Sequence, residues 1–179
     1  MKTKNFMKVA ATAVLVLVST TLFAQNGRVS IGAEVGLPTG DFGTNIGIGF
    51  GGTVGYEHPI GDAMGLGLRA GYITFAGKDL ADGISFNMIP IQAFFKYYFQ
   101  GEAQQGIYGM ANVGVHMSST SVEGSESSTD LSYAPEIGYH LDNIDIGVRY
   151  QMISGKDALD ETVTNSYIGI RLAYVFGEK

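Results

Sequence analysis

Three histidines are the first candidates for chemistry in this chain of 179 residues, which has no cysteine. His116 stands two positions before Ser118. That spacing puts both side chains on one face of a β-strand, where an imidazole could take the proton of a hydroxyl nucleophile. The expectation here is nevertheless not an enzyme, because a strand histidine facing a polar interior usually serves as a hydrogen-bonding filler. His58 and His140 fall at the opposite end of their strands from His116, and the histidine spacing fits no His-Glu-x-x-His zinc motif. Asp157, Asp160 and Glu161 cluster the oxygens that a hard cation wants, but match no calcium-loop spacing, so a solvated loop is expected. No catalytic, cofactor-binding or metal-binding residue is assigned, and no cofactor is expected. The net charge of −6 and pI near 4.9 exclude a nucleic-acid surface, which needs clustered Lys and Arg.

The charges that remain follow a rule of position. From Arg28 onwards the chain alternates with period two over eight segments, at residues 28–37, 46–58, 64–75, 85–99, 107–118, 131–141, 144–153 and 166–176. One face of these segments carries no Asp, Glu, Lys or Arg. The other carries Arg28, Glu34, Glu57, Arg69, Lys96, Glu136, Asp145, Arg149 and Arg171. Most strand glycines share the charged face, including Gly71 and Gly147. A water-facing exterior would be crowded with Lys and Glu, whereas a narrow lumen needs positions with no side chain. The segments have about the 9 to 11 residues, or slightly more, that a tilted strand needs to cross a bilayer, and single-chain barrels of this kind have even strand numbers. The fold expected is therefore all-β: an eight-stranded antiparallel up-and-down transmembrane β-barrel with a filled lumen.

Within that barrel, Glu34, Arg69, Glu136, Arg149 and Arg171 fall in one layer, with Glu57, Lys96 and Asp145 lower. Buried ions must be paired, so a salt-bridged network is expected in place of an open pore. Pro90 and Pro135 interrupt strands four and six, where a β-bulge is the expected accommodation. On the apolar face Tyr56, Tyr97, Phe99, Tyr139, Tyr174 and Phe176 gather at one end, with Tyr72 and Tyr133 towards the other, as an aromatic girdle would.

Residues 1–24 read as a cleaved secretory signal peptide: Lys2, Lys4 and Lys8 precede an apolar stretch too short to span a bilayer. The domain that follows is 25–179, of net charge −9 once those three lysines are lost. Short connections belong to the periplasmic side of such barrels, which puts both chain ends there. The four longer connections, 38–45, 76–84, 119–130 and 154–165, then face outwards. They hold nine acidic residues against Lys78 and Lys156, a net −7.

The run Ile89-Pro90-Ile91-Gln92-Ala93-Phe94-Phe95-Lys96-Tyr97-Tyr98-Phe99 and the run Leu37-Pro38-Thr39-Gly40-Asp41-Phe42 resemble stretches of the small outer-membrane β-barrel (porin-like) proteins of Gram-negative bacteria. The ending Tyr167-x-Gly169-x-x-Leu172-x-Tyr174-x-Phe176 is similar to their C-terminal assembly signal, here followed by three further residues. The resemblance implies an outer-membrane location, contact with lipid and lipopolysaccharide, and folding by the barrel-assembly machinery. It further implies a structural or surface-interaction role, in which the outer loops meet a surface ligand or protein partner. A narrow solute channel and a rim lipid-modifying enzyme centred on His116 are the alternatives.

Overall fold

The computed structural model describes residues 27–78, 83–100, 105–121, 127–156 and 161–177. The signal peptide expected at 1–24 lies outside these residues. Eight strands follow in chain order: β1 (Arg28–Thr39), β2 (Ile46–Ile60), β3 (Met64–Gly77), β4 (Ser85–Tyr98), β5 (Gly106–Thr120), β6 (Ser128–Leu141), β7 (Ile144–Lys156) and β8 (Thr162–Phe176). Each pairs antiparallel with the next, and β8 closes on β1, so the sheet has no free edge. One helical turn, α1 (Phe42–Asn45), lies in the connection from β1 to β2.

The alternation of side chains decides what faces where. Leu68 is 62% exposed on the outer wall, while the next residue, Arg69, is 4% exposed inside. The same inversion repeats around the ring, which is the arrangement of a barrel whose outside meets hydrocarbon. No helix among the described residues is long and apolar enough to cross a membrane.

Strand length differs from the sequence reading mostly at the end away from the chain termini, called here the loop end. There β6, β7 and β8 begin or finish three or four residues beyond the apolar alternation, through pairs such as Lys156↔Thr162 and Ser118↔Ser128. Half of the added residues are Ser or Thr, and most of the rest are polar or glycine. Once a strand leaves the bilayer its outer side chains need not be apolar, so the period-two signal stops while the ladder continues. At the terminal end β6 and β7 are joined by Asp142 and Asn143 alone. Asp142 takes a left-handed conformation at φ 53, and Asn143 Nδ2 donates to Val175 O at 2.8 Å.

The bulges expected at Pro90 and Pro135 are absent. Register runs unbroken past both residues, and among the described residues the one shift is between Ile46 and Gly49 in β2. The wall tolerates the missing N–H groups by omitting bridges on one side of each proline. Beside Pro135, side chains attend to the carbonyls: Asn112 Nδ2 donates to Ala134 O at 3.1 Å and Gln151 Nε2 to Tyr133 O at 3.2 Å.

Candidate functional site: the lumen

The lumen has two chemically different halves. The terminal half is ionic. Glu57 accepts from Arg28 Nη2 at 2.7 Å and lies 3.0 Å from Lys96 Nζ; Lys96 also donates to Asp145 Oδ2 at 3.0 Å, and Arg171 Nη1 to Asp145 Oδ1 at 3.0 Å. Tyr98 and Tyr108 line the same space: Tyr98 OH donates to Glu57 Oε1 at 3.2 Å and Tyr108 OH to Asp145 Oδ1 at 2.9 Å. Lys96 Nζ sits 4.1 Å from the centroid of the Tyr108 ring, close enough for a cation–π contact. Above these, Arg69 pairs with Glu136 at 2.8 Å and Arg149 with Glu34 at 2.6 Å.

All eight charged residues named from the sequence are thus buried in the lumen, with Arg28 beside them. Their grouping differs in one respect. Arg171 pairs with Glu34 in register, yet its guanidinium reaches towards the terminal end, where Nε donates to Thr53 Oγ1 at 2.9 Å and Nη2 to Ser30 Oγ at 2.8 Å. Arg149 takes Glu34 instead. The two layers are consequently stitched together, with Tyr108 OH contacting Glu136 as well as Asp145.

The loop half centres on an apolar cluster, beside which Gln92 Nε2 donates to Ser132 Oγ and to Gln151 Oε1, both at 3.2 Å. Ile46, Ile73, Phe75, Met88, Ile153 and Tyr167 form one buried cluster, against which Phe42 of α1 and Phe86 pack. Phe75 meets Phe42 edge-on at 5.8 Å and Tyr167 at 5.4 Å between ring centroids. Sequence reasoning assigned none of these inward positions, although Ile73, Phe75, Met88 and Ile153 share the parity of the charged residues. Tyr167 joins the two halves, since Arg149 Nη2 donates to its hydroxyl at 3.0 Å.

Glycines make room in both halves. A Cβ on Gly147 would stand 2.5 Å from Glu136 Oε1, one on Gly169 2.7 Å from Glu34 Oε1, and one on Gly65 2.6 Å from Glu57 Oε1. Farther up, a Cβ on Gly49 would stand 2.5 Å from the Phe75 ring and one on Gly36 2.8 Å from it.

The histidines are spread out. His116 is fully buried, edge-on to Tyr167 at 6.5 Å, and neither ring nitrogen meets a hydrogen-bonding partner among the described residues, Ser118 included. His140 lies in the ionic half beside Tyr98, and His58 is exposed on the outer wall. No group of three His, Cys, Asp or Glu among the described residues could hold a metal; Asp157 and Asp160 lie outside them. Of the residues in the C-terminal motif, Tyr167 and Gly169 point inwards, while Leu172, Tyr174 and Phe176 are exposed on the outer wall.

A charged interior, an apolar exterior and eight closed strands meet a matching sequence profile, that of the outer membrane protein beta-barrel domain, over residues 10–176. The chain belongs to this family. No curated protein matches it. Among solved structures, the N-terminal β-barrel domain of Pseudomonas aeruginosa OprF is similar at 15% identity and TM-score 0.58, over 85% of this chain and 98% of that one. Ail, the attachment invasion locus protein of Yersinia pestis, is similar at 15% identity and TM-score 0.56, over 85% and 99%. Neisserial surface protein A is similar at 17% identity and TM-score 0.54, over 85% and 98%. Ail has also been solved in complex with the heparin analogue sucrose octasulfate. At these identities the likeness establishes the fold, and the family establishes an outer-membrane barrel.

Proposed function

We propose that this outer-membrane barrel is a sealed, rigid mount that holds its outer loops at the cell surface to engage a partner. The observation that carries the reading is the double closure of the lumen, ionic in one half and aromatic in the other, which leaves the loops as the surface for recognition. Strands of up to 15 residues support it, since they exceed the about 9 to 11 needed to cross and lift the loops clear of the headgroups. In this reading residues 1–24 are a cleaved signal peptide, both termini are periplasmic, the Tyr167-to-Phe176 motif is read by the assembly machinery, and the barrel has no catalytic role. A neighbour such as Ail, solved with a sulfated ligand, supports a ligand-binding role for barrels of this shape. The loops here sum to −7 in sequence, so the partner chemistry favoured is cationic, a basic protein or peptide surface, and not a polyanion.

Binding of the refolded barrel in lipid nanodiscs to polylysine and to heparin surfaces tests this. Retention on polylysine is expected, with loss when residues 121–127 are replaced by a two-residue turn and the other loop acids by their amides. Preferential retention on heparin, or retention unaffected by the loop changes, overturns the reading. An epitope tag after Lys179 is expected to be hidden from antibody on intact cells, and a labelled tag would reverse the orientation.

A further inference from the structure

Two grooves cut the outer wall, which in an outer-membrane barrel lies against hydrocarbon. The first, of about 390 Å³, runs between Ile31, Val54, Ala70 and Tyr72, with Gly52 in its floor. A Cβ on Gly52 would meet nothing closer than 3.7 Å, so the floor is open. The second, of about 430 Å³, runs between Pro135, Ile137, Val148, Tyr150 and Ile168. Glu136 and Arg149 border it but turn their side chains into the lumen. Both grooves have the size of sites that hold small organic ligands, roughly 300–1,000 Å³. Each ends, towards the loops, at a tyrosine tethered by a neighbouring strand: Tyr72 OH donates to Asn87 Oδ1 at 2.7 Å, and Tyr150 OH to Ser166 Oγ at 3.0 Å. Each tyrosine also lies where the ladder beside a proline skips its bridges, Tyr72 in the stretch facing Pro90 and Tyr150 opposite Pro135. Further hydrogen-bonding groups stand at the same two points, Asn87 Nδ2 at one and Thr39 Oγ1, 2.9 Å from Ser166 Oγ, at the other. Two separate sets of strands thus carry one arrangement, an apolar groove that ends in a fixed ring and a polar cluster. An acyl chain joined to an oxygen-rich headgroup has the same order along the membrane normal.

We propose that each groove seats one membrane lipid of acylated, phosphate-bearing chemistry, with its chain against the groove floor and its ester and phosphate oxygens at the tethered tyrosine. The seats lie on the wall, apart from the loop surface, so this proposal and the loop-binding reading can each fail alone. Native mass spectrometry of the refolded barrel, released from maltoside micelles containing phosphatidylglycerol, provides the test. Two lipids are expected to stay on the wild-type chain. Gly52→Leu and Val148→Phe, which fill one groove each, should each leave one lipid, and the double variant none. Tyr150→Phe keeps the ring and loses the hydroxyl, and should weaken one seat about fivefold. The heat-modifiable band on gels checks that each variant folds, and Ile137→Phe fills the second groove should Val148→Phe not fold. An unchanged number of retained lipids in the filled variants, or loss of both lipids from a single one, overturns the proposal. Displacement of the lipids by inorganic phosphate overturns it as well.

Discussion

Arg28, Glu57, Lys96, Asp145 and Arg171 close the terminal half of the lumen, whereas Ile73, Phe75, Met88, Ile153 and Tyr167 close the loop half. The first group depends on partners at fixed positions, because each buried charge is acceptable only beside its opposite. The second depends on volume, because dispersion and burial are non-directional and neighbours can adjust. The difference teaches that one barrel can fill the same narrow cross-section by specification at one end and by packing at the other. It also separates the mutations the barrel should tolerate from those it should not.

The largest effect is expected at Gly147→Leu, whose side chain would start 2.5 Å from Glu136 Oε1 and 3.0 Å from Tyr108 OH. Loss of the heat-modifiable folded band on gels is expected. Gly52→Leu on the outer wall, where a Cβ meets nothing closer than 3.7 Å, should keep it. Equal yields from the two would dissolve the distinction between faces. Next comes Glu136→Gln, nearly isosteric, which leaves Arg69 without its counter-charge and should cost about 3–5 kcal/mol in urea unfolding. Phe75→Leu changes shape more, yet should cost less than about 1.5 kcal/mol because the apolar cluster can repack. A larger loss at Phe75 than at Glu136 would reverse the comparison. Smallest is Phe42→Leu, which keeps most of the apolar side chain, removes one edge-on aromatic contact and should cost about 0.5–1.5 kcal/mol in the same titration.

The strand count, the two faces and the burial of charge were legible because alternation leaves a direct trace in sequence: Leu68 and Arg69 are neighbours with opposite surroundings. Parity says which face a residue occupies, and nothing about what stands across the lumen. Phe75 and Ile73 share the face of Arg69 and look like exceptions until Gly36, Gly49 and Tyr167 are seen around them. Arg171 shows a second limit. Its strand position puts it level with Glu34, but a long side chain can choose among acids at different heights, and it reaches Asp145. The prolines show a third. Their lost donors could be absorbed by a bulge or by neighbouring side chains, and the positions of Asn112 and Gln151 that decide this are set by pairing between distant strands. The Ser- and Thr-rich strand extensions were illegible for another reason, since outside the bilayer no apolar pattern is required of them.

The closed lumen is the claim on which the rest stands, and conductance of the refolded protein in a planar lipid bilayer tests it most directly. A barrel filled from Arg28 to Phe42 should insert without producing current steps at any moderate voltage. Reproducible single-channel openings from the wild-type chain would contradict it.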